Sequence, residues 1–413
     1  MKELENHIGL IVLGHTSMVN MKKYMSIETT KYYDEFLRYY SLALEQQKLC
    51  NVSSEEPYGM VSHMDSGIPD DLMCNVELYD VVERKYAGFS QIVNDVFYGW
   101  TDQHPYWKKM EAGKITMQRE AVAKDWTGKH KDFGLPEWLY VFILHRVTGS
   151  AINYGTKPSG YYNTLLFNLH RAKDIEGMVE IVNKHPKPFY TSIGYQFPAF
   201  PKIPEGKPYK RGGDYFLSEY APKLAREMAE WLESGGKRDL REIGSFMLDW
   251  NVNHGLRKYQ FQYAAVVADV ADWYPQYVNR ESMFYYGTNA VECISYLANP
   301  TEKMKKEIFL DKVMEKIYED IGSYPYNAED VCCDFIRWVE NYIRPGNDYN
   351  HLNFDKVWSS CKITDHPFGR QKAMLDMGIV KTFNGIKNHP SDDAMLKEAG
   401  LTVEEYKNKC KQI

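Results

Sequence analysis

Apolar and polar positions alternate along this chain on a helical period far more often than on a strand period. From Thr29 to Leu49, Tyr32, Tyr33, Phe36, Leu37, Tyr40, Leu42 and Leu44 recur near every third or fourth position, which predicts a helix with one buried stripe. Val76 to Phe97 reads the same way through Ile92, Val93, Val96 and Phe97, and Ile115 to Asp125 predicts a short polar helix. Ile8 to Leu13 fits either a strand or a helical turn. Glu137 to Leu144 is apolar nearly all round, so it predicts a buried helix, with Pro136 in the first turn where a missing N–H costs little. Further helices are predicted over Ile175–Val182, Leu217–Leu232, Leu240–Trp250, Tyr259–Trp273, Lys303–Asp320 and 327–342. Beyond Pro345 the chain becomes loopier, with helices at Gln371–Met377 and Thr402–Lys409, the latter opened by a Thr402/Glu405 capping box.

Helix is not expected between Phe189 and Tyr215, which hold four prolines and four glycines. Lys202, Lys207, Lys210 and Arg211 alternate there with Tyr190, Tyr195, Phe197, Phe200 and Tyr209. Two accounts stay open: cations and rings for a single-stranded or flipped-out nucleotide, or a loop packed down by its own aromatics. The segment ends in Arg211-Gly212-Gly213-Asp214 ahead of a helix, where glycine amides can meet an anion or Asp214 can simply start the helix.

Composition narrows the class. The 413 residues are 44% hydrophobic and 26% charged, an ordinary globular mixture with room for up to three domains. A net charge of −6 gives no bulk attraction to nucleic acid, so any such contact needs a local basic face. No run of 18 apolar residues predicts a membrane span, and the first residues are too charged for a secretory signal. Seven cysteines without CxxC spacing fit reduced thiols, and a cytoplasmic protein is expected. The vicinal Cys332-Cys333 reads as core thiols.

Candidate chemistry sits at four places. The buried helix before residue 145 ends in His145-Arg146 and opens into Thr148, Gly149, Ser150 and Asn153, a suitable wall for an anion or nucleotide pocket. Arg211-Gly212-Gly213-Asp214 is the second. Gly287, between apolar runs, resembles a degenerate helix-hairpin-helix turn whose amides can hold a DNA phosphate. Asp334 and Arg337 share a helix face, as a buried ion pair or as a catalytic carboxylate steadied by a guanidinium.

Taken in order, HRVTGSAINYG with GYYNT, GYQFPAFPK with RGGD, YYGTNAVECI and CCDFIRW resemble the amino acid:DNA transferases of tailed phages, also called alpha-glutamyl/putrescinyl thymine pyrophosphorylases. The resemblance runs over about residues 130–345, and no clean glycosylase hairpin motif accompanies it. It implies a mainly α fold: a DNA-glycosylase-like helical core at 116–345 with irregular aromatic and proline-rich loops. An N-terminal extension (1–115) and a C-terminal helical extension (346–413) match nothing recognisable.

The implied reaction is hypermodification of thymine. An amine, from an amino acid or putrescine, displaces pyrophosphate at the 5-methylene of 5-(pyrophosphoryloxymethyl)uracil in DNA. The resemblance then assigns Arg146, Lys187, Arg211, Gly212 and Gly213 to the leaving pyrophosphate. Asp334, His145 or Asp214 would be the base. Tyr161, Asn163 and Gln196 would read or stack the flipped base, with Ser150, Asn153, Gly287 and Arg337 as further DNA or substrate contacts. Asp334 is the favoured carboxylate, by analogy with the acidic residue of glycosylase-like folds. No cofactor is required, although a divalent metal can accompany pyrophosphate. The expected partners are DNA carrying modified uracil and a small amine donor, with no membrane, in the host cytoplasm if the chain is phage-encoded. Two rivals are a DNA glycosylase or other base-flipping hydrolase, and a non-catalytic DNA-binding accessory protein.

Overall fold

A computed structural model describes residues 26–52, 93, 133–148, 169, 172–184, 200–258 and 263–338. This part of the chain is mainly helical. In order it runs β1 (Ile27–Thr29), α1 (Lys31–Val52), α2 (Leu135–Thr148), α3 (Ile175–Lys184), α4 (Gly212–Tyr215), a π-helical turn (Phe216–Tyr220), α5 (Ala221–Glu233), β2 (Arg238–Asp239), α6 (Leu240–Asn253), α7 (Ala264–Trp273), a 3-10 turn (Pro275–Tyr277), β3 (Val278–Asn279), α8 (Thr288–Leu297), β4 (Ala298–Pro300), α9 (Lys306–Ile321) and α10 (Pro325–Trp338). The short strands pair as β1 antiparallel to β4, Ile27 opposite Pro300, and as β2 parallel to β3, Arg238 opposite Val278.

The apolar stripes build two cores. The first gathers α2, α3, the π turn, α5, α6 and α7. Its centre is α2, which buries every side chain from Trp138 to Val147. Such a helix needs its ends satisfied, and the Glu137 carboxylate accepts the Gly134 N–H at 2.9 Å. Tyr140, buried in the same helix, donates its hydroxyl to the Leu217 carbonyl inside the π turn at 3.0 Å. α7 is buried on all sides, from Ala264 to Trp273.

The second core joins distant parts of the sequence. Tyr33, Phe36 and Tyr39 of α1 pack against Leu297 of α8, Val313 of α9 and Phe335 of α10. Phe36 meets Phe335 edge-on with ring centroids 5.7 Å apart, and the Tyr33 hydroxyl donates to Asp320 at 2.8 Å. Residues 26–41 therefore share a core with 290–336, and the boundary expected near residue 115 does not separate them. α9 stops at Gly322, whose φ of 68° closes a left-handed cap and turns the chain into α10.

Where the cores meet, Arg241 of α6 reaches across. Its Nε donates to the Phe284 carbonyl at 2.9 Å, and Nη1 and Nη2 hold both oxygens of Asp311 on α9 at 2.9 and 2.6 Å. The Tyr286 hydroxyl donates to the same carboxylate at 2.7 Å. Burial pushes the Tyr286 phenol above its ordinary range, and the Asp311 charge adds to that.

The segment 280–287 is irregular, so Gly287 is the N-cap of α8 and no helix precedes it. The expected hairpin is absent because Tyr285 instead lies on α6, its hydroxyl donating to the Arg241 carbonyl at 2.7 Å. Among the described residues no helix is long and apolar enough to cross a membrane.

The Tyr285 contact depends on Gly244. A Cβ there would sit 2.5 Å from the Tyr285 hydroxyl oxygen and 2.7 Å from its Cζ, inside contact distance of one edge of the ring. Glycine to alanine inside a helix ordinarily stabilises by about 0.5–1 kcal/mol. Gly244→Ala should do the opposite and lower stability by about 1–3 kcal/mol through overpacking. Chemical denaturation measures it, and a gain in stability would refute this packing.

Candidate functional site

α7 reads AAVVADVADW, and its two carboxylates, Asp269 and Asp272, are three apart, which puts them on one face of the helix. Both are buried, at 1% and 8% exposure. An ionised carboxylate at such depth needs a partner, and each has one.

Asp269 is held by Arg146 at the end of α2. Arg146 Nε donates to one carboxylate oxygen at 2.7 Å and Nη2 to the other, a two-pronged pair with Arg146 only 4% exposed. The sequence places it so: α2 and α7 pack side by side, and Arg146 lies on the buried side of a helix with little polar surface. His145 beside it is buried as well.

Asp272 is held differently. Tyr326, in the first turn of α10, donates its hydroxyl to Asp272 at 2.8 Å. Arg280, just after β3, donates to the same phenol oxygen from Nε at 3.0 Å and from Nη2 at 2.6 Å, and its Nη2 stands 3.5 Å from Asp272. The proton inventory closes: the phenol gives its one hydrogen to the carboxylate and its lone pairs to the guanidinium. Burial pushes the Tyr326 phenol above its ordinary range, and the Asp272 charge adds to that. The Arg280 guanidinium also lies over the Tyr324 ring, 4.1 Å from its centroid. A polar seam thus runs along one face of α7, from Arg146 and Asp269 at one step to Asp272, Tyr326 and Arg280 at the next.

The residues expected from sequence fall into three groups. His145 and Arg146 lie in the first core at this seam. Asp334 belongs to α10 in the second core, 2% exposed beside Val331 and Phe335. Gly287 also lies on that side, and its N–H is taken by the buried carboxylate of Glu329 at 2.9 Å. That hydrogen bond, where a phosphate contact was expected, caps α8 from α10.

Arg211, Gly212, Gly213 and Asp214 form the start of α4, which begins at Gly212, ahead of the helix start expected at Leu217. Glycine is required at 212 because a Cβ would stand 2.8 Å from Phe200 Cβ and 2.9 Å from the Pro201 carbonyl oxygen. Close packing of the preceding chain therefore accounts for Gly212 without an anion. Ser150, Asn153, Tyr161, Asn163, Lys187 and Gln196 lie outside the described residues, as does the side chain of Arg337.

The described end of the aromatic loop is packed down by its own aromatics. Phe200 packs near Phe216, and Tyr209 against Tyr215, with centroids 6.2 and 5.3 Å apart. Lys207 and Tyr209 both bond the Glu219 carboxylate, at 2.8 and 3.1 Å. The hydrogen bond from Lys207 holds Glu219 below the usual carboxylate range. Lys202 and Lys210 remain exposed.

Sequence reasoning passed over Asp269, Asp272, Arg280 and Tyr326. The first two had a readable signal: paired carboxylates in an otherwise apolar ten-residue helix. Arg280 and Tyr326 had none, being ordinary residues brought in by the turn of the chain. Among the described residues, no group of three or more His, Cys, Asp and Glu side chains is placed to hold a metal ion. Compared with family models, characterised proteins and solved structures, the chain matches none.

Removing Asp269 strands a buried guanidinium, so Asp269→Ala should destabilise by about 3–5 kcal/mol. Arg146→Met combined with Asp269→Leu should recover most of that loss, since apolar side chains of similar size need no compensation. Thermal and denaturant melts of the single and double variants test it; a loss below about 1 kcal/mol in Asp269→Ala would show the pair is dispensable.

Proposed function

We propose that this chain is a DNA base-modifying transferase, joining an amine to the 5-methylene of a pyrophosphorylated hydroxymethyluracil in DNA. The observation that carries the reading is the pair of α7 carboxylates held in two different ways. Asp269 is locked into a two-pronged ion pair, so it serves as scaffold for Arg146 and the end of α2. Asp272, less deeply buried and bound by a phenol proton and a half-buried guanidinium, is the better placed to exchange a proton. It takes the role first expected of Asp334, because it shares a helix face with the partner of Arg146, whereas Asp334 sits in the second core. The segments that resemble phage amino acid:DNA transferases also support the reading, since two of them, at 145–146 and 285–289, lie on elements flanking the seam.

In this mechanism the amine nitrogen attacks the exocyclic methylene while its proton passes to Asp272. The C–O bond to pyrophosphate breaks, and the electron pair leaves with the pyrophosphate. Arg280 meets the negative charge that develops. Lys202 and Lys210 supply the local basic face that a chain of net charge −6 needs.

Asp272→Asn keeps the shape and a hydrogen-bonding oxygen but cannot take the proton. Incubated with DNA bearing the pyrophosphorylated base and an amine, it should release pyrophosphate at least about 100-fold more slowly than the parent, while binding the DNA as before. Nucleoside mass spectrometry reads the outcome. A free base in place of a heavier nucleoside would assign a glycosylase, and unchanged turnover in the variant would remove Asp272 from the chemistry. Replacing Lys202 and Lys210 with alanine should weaken DNA binding and lower the slope of log affinity against log salt by about 1 for each phosphate the lysines neutralise. An unchanged slope would clear both lysines of any role at the DNA backbone.

A further inference from the structure

The geometry points to a stacking platform for an unpaired DNA base, formed by Tyr318, Tyr324 and Arg280 at the outer end of the polar seam; it rests on the functional reading above and names where the base is gripped. Three rings step inward from the surface. Tyr318, at the end of α9, stacks on Tyr324 with centroids 6.2 Å apart and planes 24° from parallel. Tyr324 stacks in turn on Tyr326, 5.9 Å away and 5° from parallel. The first two are half-buried and the third fully buried.

This arrangement follows from the turn at Gly322. Its left-handed φ reverses the chain, so that Tyr324 returns over the last turn of α9 as the chain enters α10. The Arg280 guanidinium carbon stands over the Tyr324 ring, 4.1 Å from its centroid, while two of its nitrogens are fixed to the Tyr326 hydroxyl. Its side chain is still 23% exposed, so a guanidinium plane held rigid by a phenol reaches the surface beside two half-exposed rings.

Rings and a fixed guanidinium plane are what a nucleobase stacks on, and the cation suits the phosphate attached to it. Interior packing accounts for Tyr326, which touches Phe284 in the first core, and for the inner side of Tyr324; Tyr318, whose hydroxyl bonds Glu281, carries the stack on to the surface. From the platform the ladder leads through Tyr326 to Asp272, 2.8 Å from the Tyr326 hydroxyl. A base resting on the outer rings is separated from that buried carboxylate by the ring stack, so the platform grips the strand and does not itself present the reacting carbon.

The test uses the full chain and a short single-stranded DNA carrying one 2-aminopurine, whose fluorescence falls when it stacks. The parent should quench the probe on binding. Tyr318→Ala and Tyr324→Ala should each lose the quench and weaken binding roughly 5- to 150-fold, while Tyr324→Phe keeps both. Tyr318 is peripheral enough that its alanine variant carries the test alone if Tyr324→Ala does not fold. Full quench and parental affinity in Tyr318→Ala would overturn the platform, and tighter binding of the same probe made as RNA would overturn its assignment to DNA. The two readings fail separately: lost quenching in the ring variants without any base modification by the parent leaves the platform standing and the transferase reading refuted. Modification that persists with unchanged quenching in Tyr318→Ala does the reverse.

Discussion

A helix buried on every side has no water to offer a carboxylate, and α7 carries two. That constraint organises the centre of the molecule. Moving an ion of this kind into the interior costs several kcal/mol even after the surroundings relax, so each carboxylate must be met by a donor fixed in position. Asp269 fixes Arg146 and with it the register of α2 against α7. Asp272 fixes Tyr326 and, through it, the first turn of α10. The apolar side chains around them supply most of the free energy of folding, but they tolerate sliding; the charges do not.

The same contacts determine how the cores sit together. Arg241 with Asp311, Asp272 with Tyr326 and Arg280, and Gly287 with Glu329 all cross between helices of the first core and the 284–336 stretch or cap within it. An apolar interface here would hold the cores equally well without this polarity. Polar atoms retained at a seam are where a protein can do chemistry, because donors and carboxylates are already oriented and poorly solvated. The proposed reaction uses that property and asks for no rearrangement of the fold.

Much of this fold was legible in the sequence. The one-sided stripes over α1, α3, α5, α6 and α9 and the nearly all-round apolar runs over α2 and α7 announced those helices to within a few residues. The failures share a cause. Gly287 lies between apolar runs in the sequence, but the run before it is drawn off α8 by Tyr285 packing into the space left by Gly244, a contact across 41 positions. Gly212 resembled a phosphate-loop glycine because local sequence does not record that Phe200 and Pro201 press on it. In α7 the apolar background was read and the two acids within it were not, although their isolation was the stronger signal. Tyr324, Tyr326 and Arg280 acquire meaning only from a turn and a neighbour. Long-range partners decide such positions, and no periodicity encodes them.

The pairing of β1 with β4 has a consequence for how the molecule is made. Ile27 finds its place opposite Pro300, and α1 finds α8, α9 and α10, only after the whole first core has intervened. At ordinary ribosomal speeds, between about 5 and 20 residues per second, the stretch between them takes roughly 15 to 55 seconds to emerge. Throughout that interval the Tyr33, Phe36 and Tyr39 stripe waits without its companions, while the residues from 133 to 285 have time to collapse. In the nascent chain that aromatic stripe is therefore an unpaired apolar surface until its last helices arrive to cover it.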